Sequence, residues 1–331
     1  MPAAAAAAAA RLALLALLLG APRASQAQAS NSNAMPIGAN IDGIADYSWT
    51  LPFVDVVRQS RAWGSAGSPW DGNATTGADG WPSQANFGNV FVTLQSGAPS
   101  PTHAYPSTEG TWLLAFTGQA AIQLPAGLMS GATVQGQAYD PATDTTTASL
   151  VLPAPTPDTC NCIMFGFLNA STRAGGPGLK DIRLLQPGYT LAQAEDFSAP
   201  LLALLARFDV LRFMDWASTN GNLISSWAQR TLPTRYKFGA GDQVPWEIVF
   251  KLANTLNIPP WINVPAHAND DYVLQLATLA KQLLSPSLPL YLEWSNEVCV
   301  RREGGLPPPP LQPAPSHPLT SHTACALVLL I

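Results

Sequence analysis

Charge is scarce in this chain. Asp, Glu, Lys and Arg make up 11% of 331 residues, and the net charge of −5 comes with neither a basic stripe nor a block of like charge. Nucleic acid and anionic membrane are therefore poor partners, and a neutral polar partner such as carbohydrate fits better, although composition alone does not select it. Also missing are a glycine-rich nucleotide loop, a serine-nucleophile elbow and a metal-binding helix motif. Cysteines number four (Cys160, Cys162, Cys299, Cys325), and no second Cys/His pair suggests zinc. The sequence thus implies no metal and no cofactor. Cys160 and Cys162 sit too close for an ordinary internal bridge, and the disulfide pairing is not readable.

What the chain has is apolar residues, 47% of the total, enough for a sizeable core. The first stretch is a run of eight alanines, Arg11, and then LALLALLLGA ending on small residues. That is the h-region of a signal peptide, with cleavage between Ala21 and Ala29. Arg11 splits the run and leaves it short for a membrane span, so a stable anchor is not expected. The expectation is a secreted protein with residues 1–29 removed. Sequons at Asn73 and Asn169 suit glycosylation on a secreted surface.

Residues 30–85 hold a short strand, IGANIDGI, then apolar residues at helical spacing over Leu51–Trp63, then a loop rich in Gly, Ser, Pro and Asp. Residues 86–190 change character. Seven short β-rich runs, between NVFVTLQ and KDIRLLQPG, are separated by turn residues and predict an antiparallel sandwich-like subdomain. In residues 191–300 helix and strand alternate. Helices are expected over Pro200–Arg207, Pro245–Asn257 and Asp270–Leu284. Strands are expected over Phe208–Trp216, Pro260–Val264 and Leu288–Trp294, as near-continuous apolar runs of a parallel sheet. With IGANIDGI this makes four β/α units. Residues 301–331 are a proline-rich tail ending in TACALVLLI, too short to span a membrane. The expected fold class is α/β plus an all-β insertion. It is a partial, TIM-like (β/α)8 barrel of four units, whose first and fourth strands have open edges and favour self-association.

Glu297 follows a strand ending Trp294-Ser295-Asn296, where a barrel rim carries catalytic groups, and the Asn296 amide can bond a neutral sugar hydroxyl. LYLEWSNEVC resembles the Asn-Glu signature that ends the fourth strand in clan A glycoside hydrolases, the (β/α)8-barrel clan of many cellulases and mannanases. The resemblance covers about residues 37–63 and 197–300. It implies that Glu297 is the general acid/base and Asn296 the ligand of the sugar 2-hydroxyl. It further implies that Arg212, on the second strand, holds the nucleophile carboxylate, and that His267, after the third, lines a subsite. Plainer roles remain open: Arg212 as ion-pair partner of Asp215 or Asp242, His267 as an exposed surface residue. Trp216 and Trp294, at strand ends, are candidates for stacking on sugar faces, while Trp246 and Trp261 belong with the core. Glu293 alternates to the side opposite Trp294 and is the weaker catalytic candidate.

Retaining glycosidases need two carboxyl groups about 5–5.5 Å apart. In the clan the nucleophile is a Glu ending the seventh strand, and no such strand is present here. Glu303, the last acidic residue, lies in RREGGLPPPP. The abrupt shift to low complexity after Glu297 is expected where a gene model is cut short, and retention or inversion cannot be assigned. The expected function is a glycoside-hydrolase-like action on β-linked polysaccharide or oligosaccharide, incomplete as written. The alternatives are a non-catalytic carbohydrate-binding protein, or a fragment that a second chain completes.

Overall fold

The structure is a computed structural model that describes residues 35–48, 50–68, 70–92, 107–125, 129–156, 161–171, 176–193, 195–239, 241–296 and 328–330. The expected signal segment, Cys160, Glu297, Cys299, Cys325 and the proline-rich stretch lie outside these residues. Cys162 is disulfide-bonded.

In chain order the strands are β1 (Gly38–Asn40), β2 (Gly64–Ser65), β3 (Phe87–Val92), β4 (Gly110–Thr117), β5 (Gln119–Gln123), β6 (Thr133–Asp140) and β7 (Thr145–Leu152). They continue with β8 (Cys162–Ser171), β9 (Lys180–Leu185), β10 (Val210–Arg212), β11 (Pro260–Val264), β12 (Tyr291–Trp294) and β13 (Val328–Leu330). The helices are α1 (Ala199–Leu205), α2 (Trp246–Leu256) and α3 (Asp270–Leu283). The chain divides into two compact units. One holds residues up to Ile41, Phe208–Arg230 and Val249–Ile331; the other holds Asp42–Arg207 and Thr231–Ile248.

The first unit is built on a five-stranded sheet in the order β1-β10-β11-β12-β13, with the first four strands parallel and β13 antiparallel. No closed barrel occurs among the described residues. Val328–Leu330 pairs with Tyr291–Glu293, so the fourth strand is not an open edge as the sequence suggested. The parallel strands are also shorter than the apolar runs that contain them. β10 ends at Arg212 because the chain then coils, with Ala217 N donating to Phe213 O at 2.9 Å and Thr219 N to Met214 O at 3.2 Å.

Helix α3 starts where Asn269 caps it, the side-chain oxygen accepting from Tyr272 N at 2.8 Å. Two Asp residues occupy its first turn and Lys281 its last, complementing the helix dipole. It buries Tyr272, Val273, Leu276, Ala277 and Ala280, a single stripe at helical spacing. Helix α2 closes on Asn257 at φ 54°, a left-handed position that asparagine tolerates. Asn254 ties the two helix ends together, donating to Leu283 O at 2.7 Å and accepting from Ser285 N at 2.8 Å.

The second unit holds two antiparallel four-stranded sheets, β2-β3-β8-β5 and β6-β7-β4-β9. Strict alternation on β7 (TTTASLVL) buries Thr146, Ala148, Leu150 and Leu152. The inner faces share one core. Trp112, Leu114 and Phe116 of one sheet join Phe87, Phe165 and Phe167 of the other, and the Phe116 and Phe167 rings meet edge-on with centroids 5.0 Å apart. The chain passes from one sheet to the other between β4 and β5 through a single residue, Gly118, at φ 105°. A Cβ there would stand 2.3 Å from Ser171 O, so only glycine fits.

The helix expected over Leu51–Trp63 is a four-residue 3-10 turn, Val56–Gln59. Phe53 and Asp55 form bridges with Phe197 and Leu185, and Val54 N donates to Asp196 O at 2.9 Å. Those pairings hold the preceding residues extended and override the helical spacing.

Candidate functional site

Residues in register on neighbouring parallel strands point to the same side of a sheet, which gives the parallel sheet two unlike faces. Leu211, Ile262, Leu292 and Val264 form one face and are fully buried. The other face carries two rows. Asn40, Arg212, Trp261 and Tyr291 are matched across β1, β10, β11 and β12, and Asn263 is matched with Glu293 one step further along. The strands are therefore not continuous apolar runs; alternation places a polar face on them.

Glu293 is the centre of that face. Its side chain is 2% exposed, and Oε2 accepts from Arg212 Nη2 at 2.7 Å, Arg212 Nε at 3.1 Å, Asn263 Nδ2 at 2.8 Å and Trp261 Nε1 at 3.0 Å. Arg212 also stands over the Trp261 ring, 5.2 Å from its centroid. Trp261 is thus a half-buried member of this network and not the core residue that composition suggested. Neither open ion-pair assignment for Arg212 holds. Asp215 accepts instead from Asn40 Nδ2 at 2.6 Å, and Asp242 pairs with Lys237 at 2.8 Å. A cation paired with a carboxylate that collects four donors is a rigid arrangement.

The network reaches the strand end. Arg212 Nη2 donates to Asn296 Oδ1 at 2.8 Å, and Asn296 Nδ2 donates to Asn220 Oδ1 at 3.1 Å. Asn263 Nδ2 makes a second bond, to Ser295 O at 2.7 Å. Of the residues picked out by sequence, Arg212 and Asn296 come together, and Glu297 lies one residue beyond the last described position of this segment. His267 is exposed in the turn before α3. Trp216 and Trp294 are 1% and 8% exposed, and Trp216 packs edge-on against Phe213 at 5.5 Å. Neither ring offers a face for a sugar: Trp294 alternates to the apolar side of the sheet beside Val264, and Trp216 is buried beyond the end of β10. Asn73 and Asn169 are exposed, Asn169 at φ 54°.

Asn263, Asn220 and the central role of Glu293 escaped the sequence reading. The available signal was period-two alternation, Trp-Ile-Asn on β11 and Tyr-Leu-Glu on β12, which a count of apolar residues hides. Among the described residues no group of three His, Cys, Asp or Glu side chains is arranged to hold a metal, and no helix is long and apolar enough to cross a membrane. Compared with protein-family models, curated proteins and solved structures, the chain matches none of them.

Proposed function

We propose that this chain is a secreted, glycoside-hydrolase-like protein acting on β-linked polysaccharide of the cellulose or hemicellulose type. On this reading its parallel strands are the first four of a (β/α)8 barrel, and their polar face belongs to the barrel interior. Glu297 is the general acid/base and Asn296 the ligand of the sugar 2-hydroxyl. Secretion rests on the apolar leader, and glycosylation on the exposed Asn73 and Asn169.

The observation that carries the proposal is the orientation of the Asn296 amide. Because Oδ1 accepts from Arg212 Nη2 at 2.8 Å, the amide NH2 is left as the outward group, and its present acceptor is a neutral side-chain oxygen, Asn220 Oδ1, at 3.1 Å. A sugar hydroxyl replaces that oxygen with no change of charge. Glu297 next to it donates a proton to the leaving glycosidic oxygen, the step shared by glycosidases that work with a pair of carboxyl groups, retaining or inverting. Among the described residues no strand carries the opposing carboxylate where the clan places it, so binding and proton donation are what these residues supply.

Titration of the full chain with cellotetraose and with mannotetraose, followed by calorimetry, tests the reading. The expected result is binding of one of them, weakened roughly tenfold in Asn296→Ala and retained in Glu297→Gln. Absence of binding to either sugar overturns it. Binding without chemistry that depends on Glu297 supports the second reading, a non-catalytic carbohydrate-binding protein.

A further inference from the structure

A strand that keeps its alternation places Ser295 beside Glu293 and puts Asn296 on the opposite side, with Trp294. The structure departs from this. Asn296 Oδ1 lies 2.8 Å from Arg212 Nη2, on the polar face. The change of phase occurs at Ser295, whose φ of 58° is left-handed. A non-glycine residue held there carries backbone strain of about 1 kcal/mol or more, and persists only where its surroundings fix it.

Two hydrogen bonds fix it. Ser295 N donates to Val264 O at 2.8 Å, and Ser295 O accepts from Asn263 Nδ2 at 2.7 Å. The same amide nitrogen donates to Glu293 Oε2 at 2.8 Å. Asn263 therefore spans the residue before the turn in phase and the residue at the turn. It is fully buried, and its Oδ1 has no hydrogen-bond partner among the described residues. An unpaired buried acceptor costs about 1–3 kcal/mol, and an aliphatic residue of similar size would fill the volume without that cost. The two donations from Nδ2 are what an asparagine supplies at this position.

We propose that Asn263 is a positioning residue. By clamping Ser295 in the left-handed conformation it turns Asn296 onto the face of Arg212, so that the amide NH2 is presented to the sugar. It acts through Ser295 and touches no substrate. The inference rests on the proposed function for its consequence in binding, but the positioning itself is measurable without a sugar.

The experiment uses the full chain, isotope-labelled, and follows the Asn296 side-chain amide resonances by NMR together with cellotetraose and mannotetraose affinity. Asn263→Ala is expected to displace those resonances and to weaken binding by roughly tenfold to a hundredfold, the effect of misplacing a ligand group by about 1 Å. Adding Ser295→Gly to it, which makes positive φ free of steric cost, is expected to return the resonances and much of the affinity. If Asn263→Ala fails to fold, Ser295→Val attacks the same turn from a half-exposed position. A β-branched residue resists φ near 58°, so the same displacement of Asn296 is expected. Unmoved Asn296 resonances in Asn263→Ala, or in Ser295→Val, overturn the inference. So does a double variant no better than the single one. Should the wild type bind neither sugar while these resonances behave as stated, the proposed function fails and the positioning stands.

Discussion

Arg212 and Glu293 form a two-nitrogen ion pair on a single carboxylate oxygen, at 2.7 and 3.1 Å, on the polar face of the parallel sheet. Glu293 is 2% exposed and Arg212 20%, so the carboxylate depends on its partners for solvation. The pair stands at the head of a chain of contacts that runs through Asn263 and Asn296 to the strand end.

Arg212→Met is expected to cost about 3–5 kcal/mol, since it strands a buried carboxylate. Adding Glu293→Gln removes that charge and is expected to recover most of the loss. Urea unfolding of the two single variants and the double variant, combined as a cycle, measures the coupling. Strictly additive effects would contradict the buried pair.

Asp55 gives the second unit a pH dependence. Burial pushes its carboxyl above the ordinary carboxylate value. The Arg58 guanidinium and the backbone amides of Leu184 and Val57 pull the other way without cancelling it. An acid whose folded pKa is raised binds more protons folded than unfolded, so stability falls as pH rises from the ordinary value through the folded one. In Asp55→Asn this decline disappears, and because Oδ1 is the acceptor for Val57 N and Leu184 N, both bonds survive. Asp55→Ala leaves two amides without that acceptor and is expected to lose about 1–2 kcal/mol. Urea midpoints between pH 4 and 7 check all three proteins.

Gly118→Ala is expected to destabilise by about 2 kcal/mol or more, through left-handed strain and the approach of the new methyl to Ser171 O at 2.3 Å. Thermal unfolding with the β-sheet circular dichroism signal reads the loss. An unchanged midpoint would contradict a one-residue crossing between the sheets.

Trp216→Ala is expected to cost about 3–5 kcal/mol as a core truncation. Trp216→Phe, by contrast, leaves cellotetraose and mannotetraose affinity unchanged. A loss of affinity in the Phe variant with stability intact would restore the sugar-stacking role that the buried ring argues against.

Much of the element pattern was legible where local chemistry is self-sufficient. The seven runs between Phe87 and Leu185 each carry a strand, because turn residues punctuate them and alternation is regular. Helix α3 falls where the sequence places a helix, over Asp270–Leu284. Leu51–Trp63 misled, because residues spaced for a helix are held extended by pairings with Leu185 and Phe197, far along the chain. At the candidate site Arg212 and Asn296 were readable. Asn263 was not, since a lone asparagine inside an apolar run carries no local sign of the carboxylate it meets from the next strand.

The most direct test of the central claim supplies an external nucleophile, azide, in the place that the proposal assigns to a second carboxylate. The full chain is incubated with cellotetraose or mannotetraose and excess azide, and the products are separated by mass spectrometry and NMR. Azide attacks the anomeric carbon, the C–O bond to the leaving sugar breaks, and the leaving oxygen takes its proton from Glu297, giving an α-glycosyl azide and a shortened oligosaccharide. The account predicts this product from the wild-type chain and its loss in Glu297→Gln. No product from either sugar, or equal amounts from wild type and Glu297→Gln, would contradict it.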